Sequence, residues 1–304
     1  MAMLRAWWIV GAVALGCAAA EPAPPAVATA LAAPQPSVRP VVDAAADAAP
    51  AADAGAAAVA LTLEPLAAAP ALEPVPVVEI RFPFAEQAIP IPKAPGYNVR
   101  LTLEHWPPNG GGGELWLLLD DHPPRRSLGA TTELALATLV PEDRELLPGE
   151  HFLVAALVLP GGRSVKPGGL ARAPFAAVHF WIGAAGTPAI DVHAPMLVLI
   201  GPRGTLNGDA AADAALIDFI LLNAGLAGDG LGIKARLSGP GGEATARSAD
   251  LLPLGIRGLT SGDWDVEVSL VHADGSLLAG PKARAVASFV VNRDARVQDG
   301  GKPR

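Results

Sequence analysis

One cysteine, Cys17, stands in a chain of 304 residues, so no disulfide framework braces the fold and no Cys-x-x-Cys spacing exists to seat a metal. Gly-x-Ser-x-Gly is absent, and with the sole thiol near the N-terminus the usual hydrolase nucleophile signatures are missing. Charged residues make up only 17%, and their balance is acidic, a formal −8 at pH 7. A phosphate backbone needs the opposite sign, so nucleic acid is excluded as a partner. The apolar run at the N-terminus, residues 6–16, is 11 residues long, well short of the ~20 a membrane span needs. What remains is 51% hydrophobic, ample for packed cores in about two domains.

Residues 1–5 form a weakly basic start ending in Arg5, and the apolar run behind them carries Trp7, Trp8, Ile9, Val10, Val13 and Leu15 up to Cys17. This is the build of a processed export signal, not of folded structure. Val13-Ala14-Leu15-Gly16-Cys17 resembles the lipobox of bacterial lipoproteins. The resemblance implies lipidation of Cys17 and a membrane anchor, and Ala18 in place of Asp after the cysteine implies the outer membrane. Acyl chains contribute ~0.8 kcal/mol per buried CH₂, so two or three of them hold a protein stably. The other reading is cleavage at Ala18-Ala19-Ala20, which discards the cysteine and leaves a secreted or periplasmic soluble protein.

Residues 18–75 are almost entirely Ala, Pro and Val with scattered acids. Proline breaks any alanine helix and no aromatic side chain offers a packing nucleus, so this stretch reads as a solvated tether. As a flexible coil it reaches on the order of 45 Å. A short helix at residues 56–61 is the competing reading.

Beyond the tether the chain repeats itself. Val99, Leu101 and Leu103 alternate with polar residues, and Ile217, Phe219 and Leu221 recur 118 positions later; Leu115, Leu117 and Leu119 map by the same offset onto Ile233, Ala235 and Leu237. Leu146-Leu147-Pro148-Gly149-Glu150-His151 aligns with Leu259-Thr260-Ser261-Gly262-Asp263-Trp264 at 113, and Phe180 with Phe289 at 109. Runs of ~5–8 alternating residues bounded by Gly, Pro, Asp and Asn read as half-buried strands joined by turns. About seven strands per ~105 residues is the rhythm of an immunoglobulin-like sandwich. The stretches from Gly149 and Gly262 into the following alternating strands resemble the Leu-x-x-Gly-x-aromatic corner of bacterial immunoglobulin-like and fibronectin type III-like domains. His151 and Trp264 replace the usual Tyr there, and the resemblance speaks to fold, not activity. The expected organisation is therefore all-β: signal 1–17, tether 18–75, one β-sandwich at 76–184, a second at 188–293 and a polar tail at 294–304.

The two repeats differ on one face. With the Leu115, His151 and Phe180 strands in one sheet, repeat 2 turns Lys234, Arg236, Asp265, Glu267, Ser269 and Ser288 outward, a solvated face with cross-strand charge pairs. Repeat 1 has Trp116, Leu118, Phe152, Val154, Ala156, Val158, His179 and Trp181 at the same positions. Burying one such apolar side chain is worth roughly 1.5–3 kcal/mol, so a bare face of this kind is not expected on a soluble monomer. Either repeat 2 covers it with Ile220 and Leu222, or the connection at 127–145 folds over it, or it is a binding face. A binding face would take an envelope protein or, through Trp116, Phe152 and Trp181, a polysaccharide.

Three further constellations are weaker. Asp120-Asp121-His122 with His105, and His179, have the residue types of a metal-dependent enzyme but lack ligand spacing. Asn207-Gly208-Asp209 with Asp213 falls short of an organised calcium site. Gly110-Gly111-Gly112-Gly113 runs into Glu114 where a phosphate cradle needs Lys and Ser or Thr. The reading is a non-enzymatic, lipid-anchored protein of the bacterial cell envelope without cofactor or metal, acting by binding or structural contact. A carbohydrate-binding module and a metal-dependent enzyme are the alternatives.

Overall fold

A computed structural model describes residues 59–69, 72–106, 112–128, 132–166, 173–226 and 228–295. The expected signal with Cys17, the tether up to residue 58 and the tail beyond 295 lie outside the described residues. Eighteen strands occur in the order β1 (Thr62–Pro65), β2 (Val77–Phe82), β3 (Gln87–Ile89), β4 (Asn98–Glu104), β5 (Glu114–Leu119), β6 (Arg125–Leu128), β7 (Glu133–Ala135), β8 (Gly149–Leu159), β9 (Arg163–Ser164), β10 (Phe175–Ile182), β11 (Met196–Gly201), β12 (Gly204–Asn207), β13 (Leu216–Leu222), β14 (Leu231–Gly239), β15 (Gly242–Ser248), β16 (Leu254–Arg257), β17 (Gly262–His272) and β18 (Arg284–Asn292). The single α-helix among them is α1, Asp209–Asp213.

The strands form two sandwiches of one design. In the first, β2-β4-β7 faces β3-β10-β8-β5-β6; in the second, β1-β16-β13-β11 faces β12-β18-β17-β14-β15. Setting aside β1, β9 and the crossing strands β3 and β12, in both one sheet is built from the first, second and fifth strands and the other from the third, fourth, sixth and seventh, the immunoglobulin-like arrangement. A short strand near the start of each repeat crosses over to lie parallel to the last, β3 on β10 and β12 on β18. The duplication holds register: β8 and β17 are both 11 residues long, and Phe180 stands opposite His151 as Phe289 stands opposite Trp264.

Alternation explains each core. Val99, Leu101, Leu115, Leu117, Leu119, Leu153, Leu157 and Phe180 turn into the first sandwich. Ile217, Phe219, Ile233, Leu237, Val266, Val268, Leu270 and Phe289 fill the second around Trp264. On the far face of β14, β17 and β18 the charges pair as their positions require: Arg236 is bonded to Glu243 at 2.7 and 2.8 Å, Arg284 to Glu267 at 2.7 Å, and the Ser288 hydroxyl donates to Asp265 at 2.6 Å.

The corner keeps its bond with different atoms. His151 Nε2 donates to the Leu147 carbonyl at 2.8 Å, and Trp264 Nε1 donates to the Thr260 carbonyl at 2.9 Å, each four residues back. Ring nitrogens thus take the place of the tyrosine hydroxyl. His151 also meets Asp120 through Nδ1 at 2.8 Å. Burial opposes a charged ring, but the hydrogen bond and charge of Asp120 and the Leu147 carbonyl outweigh it and hold the His151 imidazole above its usual value near 6.5. A raised histidine pKa adds stability that is complete below about pH 6.5 and is lost as pH climbs through the folded-state value. The denaturant midpoint of the wild type should therefore fall from pH 6 to pH 9. Asp120→Asn should cost about 1.5–3 kcal/mol at pH 6 and flatten that slope; an equally steep profile in the variant would assign the pH dependence to another group.

One boundary differs from expectation. Residues 62–65 are not tether: β1 pairs antiparallel with β16, and Leu61 and Leu63 pack on the second core, while Leu72 packs on the first. The local pattern Leu61-Thr62-Leu63 alternates inside an Ala- and Pro-rich surrounding, and pairing with an open sheet edge satisfies its backbone. The competing helix at 56–61 is replaced, over its described residues 59–61, by chain without helix.

Candidate functional site: the joint between the sandwiches

The apolar face of the first sandwich is covered from within the chain. Trp116, Leu118, Phe152, Val154, Ala156 and Val158 form one buried cluster with Met196, Ile200, Ile220 and Leu222 of β11 and β13. None of these residues is more than 8% exposed. The covering residues follow from parity: Ile217, Phe219 and Leu221 point into the second sandwich, so Asp218, Ile220 and Leu222 point out of it, toward the first. Of the alternatives, cover by repeat 2 through Ile220 and Leu222 is the one found, and the possible binding face is corrected: Trp116, Leu118, Phe152, Val154 and Val158 lie in this cluster, and His179 and Trp181 are buried beside it. Over its described residues 132–145 the connection does not join this cover; its β7 and the turn Leu136–Leu139 close the first core.

His179 and Trp181 lie beside this cluster and are buried differently. The two rings meet edge to face at 5.4 Å, and a side chain on Gly186 would stand 3.3 Å from the Trp181 indole, so the loop after β10 covers it. His179 Nδ1 lies 2.8 Å from Glu86 and Nε2 2.7 Å from Glu150. Glu150 in turn accepts the backbone N–H groups of Ala189 at 2.9 Å and Ile190 at 3.0 Å. Burial alone would push the Glu150 carboxyl up; the two backbone donors and His179 outweigh it and hold it below the usual carboxylate value. Asn223 Nδ2 donates to the carbonyls of Val192 and Ala194 at 2.7 and 3.1 Å. The interdomain linker is therefore fastened to both sandwiches.

A charged lock crosses the joint. Asp218, fully buried, receives the Ser164 N–H, the Phe219 N–H at 3.0 Å and the Lys166 ammonium at 2.6 Å. Lys166 also donates to the Phe219 carbonyl and, at 2.9 Å, to the Ser164 hydroxyl oxygen. Burial pushes the Lys166 amine down from its usual value, and Asp218 opposes that push. Three N–H donors meet three acceptors, so the amine offers no lone pair to the Ser164 hydroxyl. The Ser164–Lys166 pair is a bonded strut, not a nucleophile with its base. Sequence reading missed all three residues. The one available signal was Asp218 itself, the single charge in Leu216–Leu222, where every residue is buried.

The rim is mixed. Trp116 Nε1 donates to Glu114 at 2.6 Å and the Arg126 guanidinium lies 4.3 Å over its ring. Lys282 reaches Asp121 at 3.5 Å from the second sandwich to the first. Two open clefts flank the joint, one of about 470 Å³ beside Trp116, Arg126 and Arg203, the other of about 510 Å³ beside Asp120, Phe152, Met196 and Lys282.

The metal candidates are engaged elsewhere. Asp120 gives one oxygen to His151 and the other to the Phe152 N–H at 2.8 Å, and His179 is held between its two glutamates. Among the described residues no group of three or more His, Cys, Asp or Glu is placed to hold a metal ion, His105 and His122 included. Asp209 and Asp213 bind a guanidinium: Arg293 meets them at 2.7 and 2.8 Å and its Nε donates to the Leu259 carbonyl at 2.5 Å. The acidic turn that falls short of a calcium site is occupied by a side-chain cation.

Sheet order and joint together define a tandem pair of immunoglobulin-like β-sandwiches with a shared buried face. No protein-family model and no curated protein matches the chain. Among solved structures it is similar to the fibronectin(III)-like modules of Clostridium thermocellum CbhA, at 13% identity over 75% of this chain and 100% of that one, with a TM-score of 0.25. It is also similar to a Corynebacterium diphtheriae protein named as membrane-anchored (9%, 72% and 59%, TM-score 0.22) and to CBD12 from CALX1.2 (8%, 70% and 99%, TM-score 0.18). At scores this low the fold assignment rests on the chain's own sheet order.

Proposed function

We propose that this chain is a non-enzymatic protein of the bacterial cell envelope, lipid-anchored at Cys17, whose two sandwiches act as one stiff body presenting contact surfaces away from the membrane. The observation that carries this reading is the joint. A buried cluster of ten residues, the Lys166 pair to the buried Asp218 and a doubly fastened linker give tandem domains a fixed orientation, which a binding or structural scaffold needs. A polysaccharide platform on Trp116, Phe152 and Trp181 is not supported, because those rings are buried. Contact with an envelope protein must use other surface. Among the described residues no helix is long and apolar enough to cross a membrane, and an N-terminal lipid requires none.

Cells expressing the full chain are labelled with an alkynyl palmitate analogue and then fractionated. The wild type should carry label and sediment with envelopes, and Cys17→Ala should lose both. An unlabelled wild type overturns the anchor. Crosslinking in intact envelopes followed by mass spectrometry should then return protein partners attached outside the joint. Crosslinks confined to the chain itself would overturn the contact role.

A further inference from the structure

β1 is not part of the duplicated unit. Among the described residues the matching sheet of the first sandwich stops at β7, whereas in the second β16 carries β1 as a fourth strand. That strand comes from the far side of the first sandwich in sequence, with Thr62 opposite Arg257 and Pro65 opposite Leu254. Its hold is modest. Four residues pair, Pro65 has no N–H to give, and the Leu66 N–H adds one bond to the Pro253 carbonyl at 2.9 Å.

The edge it occupies is shaped to receive it. A side chain on Gly255 would stand 2.8 Å from Leu66 Cδ2, and one on Gly258, whose φ is +75°, would stand 2.6 Å from the carbonyl oxygens of both Val59 and Ala60. The two positions where the incoming segment runs closest thus carry no side chain. Leu61 and Leu63 alternate into the second core, so the groove reads an extended segment with leucine at every second residue. A short strand on a sheet edge, with half-exposed contacts, belongs to the part of a fold that opens first.

We infer that the β16 edge of the second sandwich is a strand-acceptor groove, and that segment 59–66 can leave it and be replaced by the same segment of a second copy of this chain. The groove contacts are identical in the closed monomer and the exchanged form, which is what makes an exchange of this kind inexpensive in stability. The ten residues between Leu66 and Val77 extend to at most ~36 Å, enough to let the segment reach a neighbour's edge.

Complementation between two full-length variants tests this. Leu63→Asp spoils the donor and leaves the groove; Gly258→Val blocks the groove and leaves the donor. Alone, each should be monomeric, with the amides of Gly255 and Arg257, which face β1, exchanging with deuterium at least tenfold faster than in the wild type while Ile256, bonded to the Ala215 carbonyl, changes less. Mixed, they should form a 1:1 heterodimer by native mass spectrometry, with protection of Gly255 and Arg257 restored in the Leu63→Asp chain only. A peptide of residues 58–67 should restore the same protection. Because a β-branched side chain in place of Gly258 would strain a positive φ, Gly255→Phe serves as a second blocking variant, and protection of β17 reports that each variant is folded. Unchanged exchange at Gly255 and Arg257 in Leu63→Asp overturns the assignment of β1 as the cover. Peptide protection without a heterodimer overturns the exchange between copies.

Discussion

Phe152→Glu should lower the melting temperature by more than about 10 °C and divide a single unfolding transition into two. The ring is 5% exposed in the joint, where it belongs to one cluster with residues of β11 and β13. Replacing it forfeits roughly 3 kcal/mol of apolar burial and sets a carboxylate into that apolar cluster at a cost of a few kcal/mol. At ~2–4 °C per kcal/mol for a body of this size, the sum exceeds 10 °C. The division into two transitions follows from where the cores lie: neither sandwich's own cluster includes Phe152, so each should survive while the coupling between them is lost. Ile220→Glu, from the opposite side, should give the same phenotype. Because both changes break one contact, the double variant should cost clearly less than the two single costs added together. Val286→Glu on the open face of the second sandwich, at 53% exposure, should stay within about 0.5 kcal/mol of wild type. Scanning calorimetry reads all four, and small-angle scattering reads the expansion when the joint opens. An unaltered single transition in Phe152→Glu would mean that the two sandwiches do not depend on this face.

Much of this was legible in the chain because the information is local and periodic. Period-two alternation and the 113-residue offset located β8 and β17 and their corners, since a strand's faces are written in its own sequence. The contrast between Lys234, Arg236 and Glu267 on one repeat and Trp116, Leu118 and Val154 on the other announced that one face is wet and the other covered. Parity supplied Ile220 and Leu222 as a cover. What stayed hidden is information held jointly by distant residues. Lys166 sits beside a two-residue strand with no periodicity, 52 positions from Asp218. Glu150 was read only as part of a corner, although its carboxylate fastens residues 189 and 190. The acidic turn at Asp209 and Asp213 reads only as falling short of a calcium site; its partner, Arg293, lies 80 positions beyond Asp213. The alternating leucines of β1 were lost in the average composition of the Ala- and Pro-rich stretch, whose sheet partner lies nearly 200 residues away.

Asp218→Ala should cost about 3–5 kcal/mol, because it leaves the Lys166 ammonium and the Ser164 and Phe219 N–H groups without their shared acceptor. The native pair is nevertheless no measure of net stability. Taking charge out of water is expensive, so Asp218→Leu combined with Lys166→Met should recover the part of the loss due to the unpaired ammonium, while the Ser164 and Phe219 N–H groups stay without their acceptor. Salt separates this pair from the rim: 1 M NaCl should leave the Asp218→Ala cost nearly unchanged, whereas the exposed Lys282–Asp121 contact, worth at most about 1 kcal/mol, should be screened away. An ion pair on a buried carboxylate with two backbone donors is directional in a way that leucine and methionine are not. The double variant should therefore melt between Asp218→Ala and the wild type while its scattering profile broadens toward several domain orientations. That outcome would place the role of Lys166 and Asp218 in fixing the angle of the joint. A double variant that is stable and keeps one orientation would show that packing of Phe152, Val154, Ile220 and Leu222 sets the angle unaided, and a double variant as unstable as Asp218→Ala would show that the charges hold the joint closed.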